Sequence, residues 1–178
     1  MELETKTMIY SKTVTINHPL AKKHSQSIVV SLNTLIEREG GGRKNLFEDD
    51  PILDIDALEV KNKRGVGDRH ETMDFSMGLS SQQMLLVEVK LRVSNPGNIR
   101  KSDLENKIKY SKSLLEQETP IAKEKAFLFN DKVVSIARGH LARLFNNNPH
   151  LKVYTLTSFK DCYWLEENKQ ETKDNKRK

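Results

Sequence analysis

The chain has 178 residues, 36% hydrophobic and 31% charged, with a formal net charge of +5. That length suits one domain with a real core, and no apolar run approaches the length of a membrane-spanning helix. Cys162 is the only cysteine, which excludes an intrachain disulfide framework. Together with five scattered histidines (His18, His24, His70, His140 and His150) it also argues against a Cys/His structural metal site.

The N-terminal stretch lacks the basic start and apolar run of a secretory signal, and the lone Cys162 makes a reducing cytoplasm the expected compartment. Residues 5–18 are rich in Thr, Ile and Val and read as extended. Ser25 or Ser27 starts a helix to about Glu39 with Ile28, Leu32, Leu35 and Ile36 as its apolar stripe, and Gly40 to Gly42 end it. The segment 43–70 is irregular, with a short strand near 55–60. A hairpin of strands 71–77 and 84–93 follows, then a break at Asn95-Pro96-Gly97-Asn98.

Ser102 and Glu105 match a capping box, which predicts a helix to about Glu118 with Leu104, Ile108, Ser111 and Leu115 inward. A buried strand over 125–129, a helix over 131–146, a strand over 151–157 and a closing segment 159–165 complete the order. Strands linked by helices after residue 98 favour parallel pairing in an α/β domain. The expected organisation is one domain over 1–165 and a disordered charged tail over 166–178, which has no apolar residue.

Strand 84–93 alternates sharply. Leu85, Val87, Val89, Leu91 and Val93 share one face; Leu86, Glu88, Lys90 and Arg92 share the other. Charge beside so apolar a strand needs a reason. Glu88 and Lys90 either neutralise each other at the sheet surface, or a carboxylate pair holds a divalent metal while the ammonium helps activate a water. Asp74 shares strand parity with Ser76, opposite Phe75 and Met77, which sets it on the polar side as Glu88 is. Asp68 and Glu71 are competing acids nearby.

Between residues 90 and 112, seven basic residues, Arg92 and Lys107 among them, meet only Asp103 and Glu105. Such a patch points to nucleic acid without separating DNA from RNA; a solvated helix face is the plain alternative. Gly40-Gly41-Gly42-Arg43-Lys44 lacks the spacing of a P-loop, Asp54-Ile55-Asp56 reads as an acidic edge or loop, and His140 reads as a packed histidine.

Asp74, Glu88-Val89-Lys90, the hairpin and the helix after it resemble the PD-(D/E)xK superfamily of restriction-endonuclease-like nucleases. The resemblance spans roughly residues 25–157 by element order and rests specifically on three residues. It implies a mixed central sheet flanked by helices with a restriction-endonuclease-like core. It also implies Asp74 and Glu88 as ligands of Mg²⁺ or Mn²⁺, and Lys90 as the catalytic lysine that orients and polarises the attacking water in DNA hydrolysis. Some branches place a polar residue and a tyrosine four apart on the following helix; Asn106 and Tyr110 have that spacing and would contact nucleic acid, with Arg92 and Lys107, or support Lys90. Many members add an acid from the N-terminal helix, here Glu39, which continues the apolar stripe, rather than Glu37. Met73, not proline, precedes Asp74. A homodimer or partner domain for targeting follows by analogy. The runner-up reading is a non-catalytic nucleic-acid-binding module.

Overall fold

The computed structural model describes residues 8–42, 45–62, 67, 69–117 and 119–164. Asp68 and the expected tail over 166–178 lie outside the described residues. Six strands form one mixed sheet flanked by helices, an α/β fold. Their spatial order follows the chain: β1 (Val29–Ser31), β2 (Pro51–Asp54), β3 (Phe75–Gly78), β4 (Met84–Lys90), β5 (Ile121–Phe129) and β6 (Leu151–Tyr154). The first three pairings are antiparallel, whereas β4–β5 and β5–β6 are parallel, as their helical crossovers require.

Both faces of the sheet are covered. Leu85, Val87, Val89 and Leu91 lie under α4 (Leu32–Ile36) and α8 (Leu156–Tyr163), together with Phe75, Met77 and Leu128. Leu86, Phe127 and Phe129 lie under α5 (Ile55–Asn62), α6 (Lys101–Leu115) and α7 (Val134–Leu144). The polar row of β4 therefore faces a helical layer, not solvent. Within that layer Leu104 and Leu115 of α6 are buried, each contributing about 1.5–3 kcal/mol.

Several local expectations give way. The segment expected to be extended over 5–18 contains α1 (Lys12–Asn17), since the Ser11 hydroxyl accepts the Val14 N–H at 3.2 Å. Packing holds that helix against β3: the Thr15 hydroxyl accepts the Gly78 N–H at 2.9 Å, and a Cβ on Gly78 would lie 2.6 Å from the Thr15 nitrogen.

The single helix expected from residue 25 to 39 is instead α3 (Ser25–Ile28), β1 and α4, after the short α2 (Pro19–Lys23). Val29 and Val30 extend because β2 offers Leu53 and Ile52 as antiparallel partners. The strand expected near 55–60 is α5; Asp54 ends β2 and its Oδ1 accepts the Ala57 N–H at 2.9 Å, capping the helix. Helix α6 begins one residue before Ser102, with Arg100 as its N-cap and no side-chain cap bond, so the capping box is not formed. The closing segment is the helix α8, whose Thr155 and Ser158 do form one.

Candidate functional site

The hairpin register makes the site. Phe75 pairs with Val87 and Ser76 with Leu86, so one step outward Asp74 stands opposite Glu88 on the same face. Beyond the last cross-strand pair the Val89 N–H has no ladder partner from β3, and the Asp74 carboxylate takes it at 2.6 Å. Asp74 is fixed from behind as well: the buried Ser111 hydroxyl of α6 accepts the Met73 N–H at 2.8 Å.

Glu88 is 0% exposed. Its Oε1 sits 2.6 Å from Lys90 Nζ and 2.7 Å from Lys107 Nζ, while its Oε2 is buried with no hydrogen-bond partner among the described residues. Lys107 belongs to the inward face of α6, one turn after Leu104 and one before Ser111. Burial alone would lower its pKa, yet the charges of Glu88, Asp74 and Glu71 outweigh that and raise it. The Asp74 pKa is raised too, which for a carboxyl disfavours the charged form: burial first, then the Glu88 charge, push it up from 3.8 to about 7, against the Val89 N–H bond and Lys107. Two acids are thus crowded at one end of the sheet, with one carboxylate oxygen unsatisfied.

Glu39 lies in a π-type turn (Glu37–Gly41) that extends α4. It is close enough for its charge to raise the Asp74 pKa, and its Oε1 pairs with Arg38 Nε at 3.2 Å. Among the described residues, no three or more His, Cys, Asp or Glu side chains converge to hold a metal ion. Arg92 secures this turn: its Nη2 donates to the Arg38 carbonyl at 2.8 Å, and its side chain lies against Gly40, which has φ +93°. Arg38 in turn reaches the buried Asp54 at 2.7 Å.

Of the remaining sequence candidates, Tyr110 stacks on His70 with ring centroids 3.8 Å apart. Asn106 is exposed on α6, and the position facing Glu88 is Lys107 instead. Glu71 is exposed and lines the cavities beside Lys90 and Lys107. Asp56 bonds Thr72 and Arg69, and His140 Nε2 lies 2.9 Å from the Ile99 carbonyl as a packed histidine. Sequence reasoning placed Ser111 on the inner face without giving it a role. The signal was a hydroxyl within an apolar stripe.

Lys90 and Lys107, the two lysines at Glu88, border a trough. A cavity of about 430 Å³ is lined by Lys90, Arg92, Arg100 and Lys107, among others. A second, of about 490 Å³, shares Glu71, Lys90 and Lys107 with it and continues to Arg69 and His70. Those two residues also line a third, of about 680 Å³, beside Tyr110. No helix among the described residues is long and apolar enough to cross a membrane. No protein-family model, curated protein or solved structure matches the chain.

Proposed function

We propose that the chain is a metal-dependent deoxyribonuclease of the PD-(D/E)xK type, acting in a reducing cytoplasm with targeting supplied by a second copy or a partner domain. The observation that carries this reading is Glu88: fully buried, one oxygen between two lysines, the other without a partner, and Asp74 opposite. Stability alone gives no reason to bury a carboxylate oxygen unsatisfied, since that costs about 1–3 kcal/mol or more. The donor set fits a hard cation such as Mg²⁺ or Mn²⁺, which takes oxygen ligands and keeps several waters, so Asp74 and Glu88 would suffice from the protein. When bound, such a cation stabilises the charge that builds up during in-line displacement at phosphorus.

The chain's own residues do the rest. Lys90, 25% exposed and on the trough wall, orients the attacking water and polarises it. Val89 N–H and Ser111 keep Asp74 in register. Arg100 and Arg69, toward the two ends of the trough, provide positive charge for a phosphate backbone. DNA is preferred to RNA on the family resemblance.

A second reading has its own observation: both ammonium groups already neutralise Glu88, as in a non-catalytic nucleic-acid-binding module. Incubation with DNA and Mg²⁺ or Mn²⁺ separates the two. The nuclease reading predicts cleavage by the wild type and a loss of about 10²-fold or more in Lys90→Ala. Identical cleavage by both removes the assignment to this site. Binding with a steep salt dependence but no cleavage by either selects the module.

A further inference from the structure

We infer that Lys107 is the resident counter-ion of the acid pair, its ammonium group held against Glu88, and that a divalent ion must displace it in order to bind. The inference rests on the nuclease reading and goes beyond it by giving Lys107 a role at the acid pair before it meets the nucleic acid.

Three observations support it. Lys107 Nζ lies 2.7 Å from Glu88 Oε1, at the distance of a short charge-assisted hydrogen bond. Its side chain is only 16% exposed, so it is committed to this contact and is not a solvated helix lysine that touches a carboxylate in passing. Its positive charge also favours the ionised form of Asp74, and it comes from a separate element, whereas Lys90 is tethered two residues along the same strand as Glu88.

A buried carboxylate facing a second one is strained unless a cation compensates it. Lys107 supplies that compensation from a separate element, through a flexible four-carbon stem. It has somewhere to go. Its side chain borders two adjoining cavities, so a displaced ammonium stays in the trough, where a phosphate backbone would meet it. Lys90 remains at Glu88, and the two lysines divide the work: one orients water, the other keeps the empty site neutral and then faces the substrate.

The test is calorimetric titration of Mn²⁺ into the substrate-free protein, comparing wild type with Lys107→Met, which keeps the stem without the charge, and Lys107→Arg, which keeps the charge. Removing a neighbouring positive charge should tighten Mn²⁺ binding by roughly tenfold or more in Lys107→Met, while Lys107→Arg stays near wild type. Unchanged affinity in Lys107→Met, or the same change in both variants, overturns the inference while leaving the nuclease reading intact. Absence of Mn²⁺ binding in the wild type and both variants overturns the inference and the nuclease reading together.

Discussion

Asp74 and Glu88 stand on facing positions under a helical layer, where two negative charges are expensive. The expense falls on Asp74, whose carboxyl is pushed up to about 7 by burial and by Glu88. A carboxyl with a folded pKa above its unfolded value keeps its proton more readily when folded. The folded state therefore binds the extra proton, and stability falls as pH rises from 3.8 to about 7, levelling above that. Asp74→Asn, which retains an acceptor for the Val89 N–H, should remove that decline. Without metal, the variant is expected to gain on wild type by on the order of 3 kcal/mol between acid and neutral pH, read from urea unfolding across that range. A constant difference between the two proteins would show that Asp74 is not held protonated by its surroundings. Excess Mn²⁺ should reverse the order, because the ion requires the ionised form that the variant lacks.

At the scale of elements, the site is the product of β3, β4 and α6. The alternation of β4 was legible from sequence because one face carries Leu85, Val87 and Val89 without interruption, and that face lies in the core with Phe75 and Met77. The parity of Asp74 was legible for the same reason, and the register sets it opposite Glu88. Which lysine of α6 turns inward was not: the helix carries Lys101, Lys107, Lys109 and Lys112, and only tertiary packing selects Lys107.

The N-terminal third was misread where long-range contacts override local preference. Thr13, Val14, Thr15 and Ile16 favour strands, yet they form α1 because Gly78 leaves room for the helix and Thr15 bonds across 63 residues. Val29 and Val30 are extended by β2, a partner that no local window contains.

Ser111 shows how α6 controls the acid it does not carry. Its hydroxyl accepts the buried Met73 N–H, so Ser111→Ala should cost about 1–3 kcal/mol in chemical denaturation. Cleavage should fall with it even at temperatures where the variant is fully folded, because Asp74 follows Met73 directly. Full activity in a folded Ser111→Ala would mean that Asp74 is held by Val89 alone.

Seen whole, the molecule buries Glu88 behind Lys90 and Lys107, which line a trough together with Arg69, Arg92 and Arg100. Positive charge along the trough supplies affinity for a polyanion; the buried carboxylates supply none and oppose it. Binding and cleavage are therefore separable at Glu88, and Glu88→Gln keeps the shape and an acceptor for both lysines while removing the charge. DNA binding by this variant should equal or exceed that of the wild type and retain its salt dependence. The most direct measurement is the rate of DNA cleavage by Glu88→Gln and wild type in Mn²⁺, with binding measured on the same preparations. A loss of at least about 10²–10³-fold in rate with binding intact is the expected result. Cleavage within a few-fold of wild type would contradict the account, because it would mean that the buried carboxylate at its centre does no chemistry.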